Sequence, residues 1–248
     1  MAEFFWLISM KSTKMPLSIV DDGFFQRNHG NAPLRYNSSW EKMSASAKKY
    51  FGTRRTQMNK IIVEKNLFCL PWTQTLLGTL VRDRVNFMAL DWLTRVNFDP
   101  AMLGICVGSG HATNQAIRDT GQFSVNVPTV DMVEVTDYCG IASAKREDKS
   151  KLFDVFYGEL KAAPLITACP LNIACTVVQT VNLPTNTFFI GEIVAIYSEE
   201  QYLTGGKPDV KKIRPFLLTM PDNRFWAVGE HVGNAWKDGI KYREKLKP

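Results

Sequence analysis

At 248 residues, 45% hydrophobic and 22% charged, the chain has the make-up of a globular protein able to bury a core. No run of about 18 apolar residues is present, so no membrane span is expected, and Glu3 within the apolar opening MAEFFWLISM argues against a secretory signal. The net charge of +6 sits in the first 60 residues, which hold 10 Lys/Arg against 4 Asp/Glu, whereas residues 61–248 hold 20 of each; the body lacks the basic excess that drives nucleic-acid binding.

Residues 1–57 show no periodicity and carry turn clusters such as DDG at 21–23 and RNHGNAP at 27–33. They read as a poorly ordered leader or as sequence upstream of the true start, with Met43 and Met58 as alternative starts to Met1. The folded domain is expected over 58–248. Within it, residues 75–81 and 85–92 flank the polar Arg82-Asp83-Arg84 and predict a β-hairpin. GICVG at 104–108 reads as a short buried strand, and 112–121 as a helix ending at Gly121. QFSVNVP at 122–128 alternates like a strand that Pro128 stops. Asp131-x-x-Glu134 predicts a capping-box variant opening a helix to about Tyr138. Two long apolar stretches, 171–183 and 187–198, exceed the usual strand length, as strands curling around a barrel do, with Gly191 marking a bulge or bend. Short polar turns between strands imply antiparallel pairing and an α+β, mainly β, domain.

Five cysteines include no C-x-x-C pair and leave an odd number, which points to a reducing, cytoplasmic setting rather than a disulfide framework. His29, His111 and His231 show no ligand spacing with one another or with the cysteines, so no metal site is expected.

The most informative stretch is GSGHATNQAI, Gly108 to Ile117, between a strand and a helix. Glycines let backbone approach a ligand, and free N–H groups at a helix start favour a phosphate. Thr113 adds a hydroxyl, and His111 a ring N–H or a charge; the alternative is a glycine-rich turn with an idle surface histidine. No GK[ST] follows, so this is not a Walker loop. It half-matches G-x-G-x-x-G, but that fingerprint requires a parallel βαβ unit, which the flanking strands do not suggest.

From about Leu70 to Gly239 the chain resembles the FMN-binding flavin-reductase-like domain, and within it the flavoredoxin group. The motifs that carry the resemblance are Asn86-x-Met88 to Trp92 followed by Asp99-Pro100, Thr113-x-x-x-Ile117, Gly121-x-Phe123-Ser124-Val125-Asn126, Asp137-Tyr138-x-Gly140, Asp148-Lys149-Ser150, PLITACP at 164–170, Phe189-Ile190-Gly191-Glu192 and Gly233-x-Ala235-Trp236. Each is weak alone; together and in order they are specific. The resemblance implies a six-stranded Greek-key split barrel with a few peripheral helices, forming a homodimer with FMN near its interface. It places Asn86, Met88, Ala89, Leu90, Asp91 and Trp92 beside the flavin ring, with Trp92 either along the ring or an ordinary core residue. Gly110, His111, Thr113 and Asn114 take the phosphate, and Lys149 either offers it a charge or is a solvated surface lysine. Asn186 stands where many relatives have a histidine near flavin and reductant, which puts direct use of NAD(P)H in doubt and favours exchange with a redox partner protein.

The flavin carries the chemistry in such proteins, so no catalytic residue is assigned. The function expected is flavoredoxin-like electron transfer or NAD(P)H-dependent flavin reduction, with a non-enzymatic flavin-binding or storage protein as the alternative. A relative of the pyridoxamine-phosphate oxidases would need a further basic phosphate site.

Overall fold

The computed structural model describes residues 60–63, 65–220 and 222–245; the expected leader, 1–57, lies outside them. The chain divides into two compact units, Lys65–Asp238 and a second composed of 1–64 with 239–248.

The first unit opens with β1 (Trp72–Thr73), then a hairpin of β2 (Thr75–Val81) and β3 (Arg84–Leu90). Its turn is two residues, Arg82 and Asp83, one shorter than expected, and both have positive φ, 51° and 61°. That is the turn whose twist suits paired strands. β4 (Leu93–Asn97), which the sequence did not announce, and β5 (Met102–Gly108) follow. Helix α1 (Ala112–Thr120) ends where expected, on Gly121 in the left-handed region at φ 65°. β6 (Gln122–Val127) stops before Pro128.

The next helix differs from expectation at its start. A 3-10 turn at Val130–Met132 precedes α2 (Val133–Ile141), and neither carries a side-chain cap. The Asp131 carboxylate that would have opened a capping box is instead held by the Arg214 guanidinium at 2.7 and 3.2 Å. After the short pair β7 (Val155–Phe156) and β8 (Leu165–Ile166) come the two long strands, β9 (Leu171–Asn182) and β10 (Asn186–Ser198). Their register shifts at Ile190/Gly191, where the unpaired residue is Val178 of β9, and again at Ile193/Ala195, where it is Val194 of β10; the irregularity expected at Gly191 thus falls on the strand opposite it. A two-stranded pair, β11 (Leu203–Thr204) and β12 (Lys207–Pro208), leads to α3 (Val210–Ile213), then to β13 (Phe216–Thr219) and β14 (Arg224–Ala227). The last two form a three-stranded sheet with β1. In the second unit the described residues are 60–63 and helix α4 (Asp238–Lys245), which begins at the unit boundary and buries no residue.

The main sheet has seven strands rather than six, in the order β3-β2-β6-β9-β10-β5-β4, and every pairing is antiparallel. That removes the parallel unit a dinucleotide fingerprint needs. The two edge strands, β3 and β4, are separated only by Asp91 and Trp92. Leu90 and Leu93 therefore lie at most about 11 Å apart, and the sheet must roll until its edges meet at that corner. No ladder joins β3 to β4 among the described residues, so the roll is not closed by pairing there. Its interior packs Leu77 of β2 and Leu90 of β3 with Leu103, Ile105 and Val107 of β5, around Phe123, Val125 and Phe189. A second cluster of Leu76, Phe87, Cys139, Ile166 and Cys169 forms where α2 packs on β2 and β3.

Candidate functional site

Because β3 is an edge strand, its side chains and its backbone have separate fates. The pattern of period two sends Met88 and Leu90 to the interior of the roll and Phe87 to the cluster under α2. Ala89 serves the helix contact: a side chain on Gly140 of α2 would come within 3.3 Å of the Ala89 methyl. The two-residue turn makes Val81 and Arg84 a hydrogen-bonded pair, and such pairs alternate along an antiparallel ladder. The N–H and C=O groups of Val85, Phe87 and Ala89 therefore face the free edge.

Two helix ends meet at that edge. The N-terminus of α1 arrives from one side, with no side-chain cap and no acidic residue in its first turn, so its N–H groups form a positive end open to an anion. His111 occupies the position before the helix, and its imidazole lies over Gly108; a side chain on Gly108 would stand 2.8 Å from the ring. Gly110 has open space where a side chain would be. Thr113 is buried, and its Oγ1 accepts a 3.1 Å hydrogen bond from the Asn86 amide, which leaves the threonine O–H to donate elsewhere. Asn86 Oδ1 is buried with no partner.

From the other side comes the C-terminus of α2, with Lys149 beneath it. This lysine is not on the surface: it is 3% exposed, and its Nζ donates to the carbonyls of Ala142 at 2.9 Å and Cys139 at 3.4 Å. A cation at a helix C-terminus is well placed, yet burial pulls its pKa below the ordinary lysine value, with Cys139 and Glu147 opposing that shift. Burial pushes the neighbouring Cys139 thiol up to about 11.

The two ends enclose a cleft of about 160 Å³, lined by Met88, residues 111–113, residues 139–144 and Lys149. Five expected site residues, Met88, Ala89, His111, Thr113 and Lys149, thus stand in the cleft or in direct contact with its wall, and Asn86 reaches it through Thr113. Leu90 is a core residue. Asn114 spends its side chain inside the fold, donating to Val107 O at 2.9 Å and accepting from Arg118. Asp91 and Trp92 form the corner between the two edges; burial raises the Asp91 pKa, and the Trp92 carbonyl accepts from Cys106 N at 3.0 Å. Asn186 pairs with Gly108 across β5 and β10, and its Oδ1 accepts from Thr185 Oγ1 at 2.7 Å; burial raises the pKa of the Cys106 thiol, and Asn186 opposes that shift. The wall at 139–144 was not assigned from sequence, although Asp137-Tyr138-x-Gly140 ends in it; only the packing of α2 on β3 brings it to the cleft. Among the described residues no group of three or more His, Cys, Asp or Glu could hold a metal, and no helix is long and apolar enough to cross a membrane.

A free strand edge offering alternate N–H groups suits the polar edge of a flat heterocycle, and an uncapped helix start beside a buried lysine suits a phosphate. The residues present fit a phosphorylated flavin. Residues 67–210 match the flavin reductase like domain, and the chain belongs to that family. It is 54% identical to flavoredoxin from Methanosarcina acetivorans, whose structure superposes with a TM-score of 0.73 over 74% of this chain and 98% of that one. Flavoredoxin of Desulfovibrio vulgaris (Miyazaki F) is 29% identical, with a TM-score of 0.67 over 73% and 99% of the two chains. An uncharacterized protein of Archaeoglobus fulgidus is 31% identical over 130 residues, 52% of this chain and 73% of its own. The protein is a redox flavoprotein of the electron-transfer or reductase type.

Proposed function

We propose that the chain holds FMN along the free edge of β3 and works as an electron carrier of the flavoredoxin kind, on a split barrel that pairs with a second copy. When bound, FMN supplies the electron transfer itself. The chain's own residues bind and orient it. The Phe87 and Ala89 backbone groups address the pyrimidine edge of the ring, the first turn of α1 and the Thr113 hydroxyl take the phosphate, and the Lys149 ammonium balances its charge. The observation that carries this reading is the convergence of β3, residues 111–113 and Lys149 on one cleft.

Thr113→Ala removes one hydrogen bond to a charged group, worth about 1.5–3 kcal/mol, so FMN affinity should fall about ten- to hundredfold. Riboflavin has no phosphate, and its weaker binding should hardly change. Equal losses for both ligands, or none for either, would move the phosphate elsewhere.

The carrier reading is preferred over direct reduction by NAD(P)H because Asn186 offers no ionisable group at the start of β10. Anaerobic addition of NADH or NADPH should leave the visible flavin absorbance unbleached on the time scale of turnover. Rapid bleaching would establish the reductase instead. The second copy is supported by exposed apolar residues on β9 and β10, namely Val178, Val181, Val194 and Ile196. Sedimentation at micromolar concentration should give a dimer; a monomer that holds FMN tightly would refute the pairing.

A further inference from the structure

The residues that touch the cleft do not explain what holds the phosphate loop in place. Between β5 and α1 the loop has few bonds of its own: His111 N donates to Gly108 O at 3.0 Å, and Asn114 N to His111 O at 3.1 Å. Its further anchors lead to the turn that joins β9 and β10. Ser109 N donates to Thr185 O at 2.9 Å, and Gly108 pairs with Asn186. On the helix side, Asn114 Nδ2 donates to Val107 O, the last interior residue of β5, and Asn114 Oδ1 accepts from Arg118 Nε at 3.0 Å. The same guanidinium extends Nη2 to Asn182 Oδ1 at the end of β9 and to Thr187 Oγ1 at the start of β10, the latter at 2.7 Å. Its carbon lies 5.7 Å above the Phe189 ring, within the range of a cation–π contact.

Building on the FMN reading, we propose that Arg118 is a positioning residue for the phosphate site: its guanidinium clamps the start of α1 to the β9–β10 turn, so that the Thr113 hydroxyl and the first-turn N–H groups are set before the ligand arrives. The chemistry favours arginine. Three acceptors on three elements lie around one planar fork, and a fork presents several N–H groups in fixed directions, whereas an ammonium is a point charge on a flexible stem. The hydrogen-bond partners of the Arg118 guanidinium, Asn114, Asn182 and Thr187, are not among the residues that line the cleft; its influence passes through Asn114, one turn back along the helix. This also gives Asn114 its role, as the link between clamp and loop rather than as a ligand contact. Preorganisation of this kind raises affinity by removing the ordering cost from the binding step.

The test compares FMN and riboflavin affinities, by quenching of flavin fluorescence, for the full chain carrying Arg118→Lys, Asn182→Ala, or both. Arg118→Lys keeps the charge and loses the fork. FMN affinity should fall about five- to tenfold, the equivalent of one hydrogen bond, with riboflavin affinity and Tm nearly unchanged. Asn182→Ala, an exposed change at the far end of the clamp, should give a smaller loss in the same direction, and the double variant should lose no more than Arg118→Lys alone. Full retention of FMN affinity by the lysine variant would reduce Arg118 to a long-range charge and overturn the clamp. Equal weakening of both ligands would make it a general stabiliser and overturn it too. Thr113→Ala separates the two levels: if it lowers the FMN-to-riboflavin ratio while Arg118→Lys does not, only the clamp falls, and if it leaves the ratio unchanged, the phosphate reading falls with it.

Discussion

The two walls of the cleft are built in opposite ways. On the β3 side, Val85, Phe87, Met88 and Leu90 give their side chains to two hydrophobic clusters, Asn86 reaches across to Thr113, and the free edge carries the backbone of Val85, Phe87 and Ala89. On the loop side, the backbone is anchored to neighbouring strands while His111 and Thr113 line the cleft with side chains. A strand edge that presents backbone is insensitive to which side chains it carries, provided the strand stays where it is. A loop that presents side chains can be altered residue by residue. Substitutions at the core positions of β3, Val85, Phe87 and Leu90, should therefore change stability and leave ligand discrimination alone, whereas substitutions in the loop should do the reverse.

The largest effect is expected at Phe87. It is fully buried and packs edge-on against Phe153, with ring centroids 5.3 Å apart. Phe87→Ala should cost about 3–5 kcal/mol of unfolding free energy, measured by urea denaturation. Below its lowered melting temperature, the variant should keep the wild-type ratio of FMN to riboflavin affinity. A shifted ratio in protein shown to be folded would mean that β3 contributes more than its backbone, and the contrast between the walls would fail.

Alkaline pH probes the same side from behind. Burial raises the thiol pKa values of Cys139 to about 11 and Cys175 to about 12, and that of Cys169 also upward, from an ordinary 9.0. The folded chain keeps these protons at pH values where the unfolded chain has lost them. Stability from this source is fully present below pH 9 and falls as pH rises towards 11, at about 1.4 kcal/mol per pH unit for each thiol. Lys149 acts with the opposite sign, since its lowered pKa makes the unfolded chain the better proton binder just below 10.5. Denaturation at pH 8 and pH 10 should show the net loss, and Cys169→Ala should make the decline shallower by about one thiol's share. A flat profile between pH 9 and 11 would show that the thiols are not shielded by this packing.

How much of this was legible depends on the distance over which each feature is decided. The β2–β3 hairpin and the stop at Gly121 are set by residues next to one another, and the sequence foretold them to within a residue or two; the irregularity expected at Gly191 is carried by Val178 on the strand opposite. Asp131 had the right neighbours for a capping box, but its partner, Arg214, lies 83 residues away and no local pattern announces it. Lys149 reads equally as a charge offered to the cofactor or as a surface lysine in the run Glu147 to Lys151, and only the packing of α2 shows it buried. β13 and β14 are four residues each, too short to show a period. Within the site, the residue types of the loop could be read for chemistry, while the division of labour in β3 could not. That division depends on which strand is at the edge, a property of the whole sheet.

The smallest expected effect lies at the turn that begins β3. Arg82 and Asp83 both occupy the left-handed region, where a residue with a side chain crowds its own carbonyl, and two-residue hairpin turns favour Asn-Gly for that reason. Replacing the pair by Asn-Gly relieves the crowding, partly offset by the greater freedom of glycine in the unfolded chain. The net gain should be about 0.5–1 kcal/mol in denaturant unfolding. The change leaves Arg84 in place with its 3.5 Å ion pair to Asp148, and it lies about 14 Å along the strand from Met88. If β3 matters to the ligand only as a fixed backbone edge, this stabilised hairpin should bind FMN and riboflavin with the same ratio as the parent chain. A gain in stability accompanied by a changed ratio would mean that the hairpin moves when ligand binds, and that the edge is shaped during binding rather than before it.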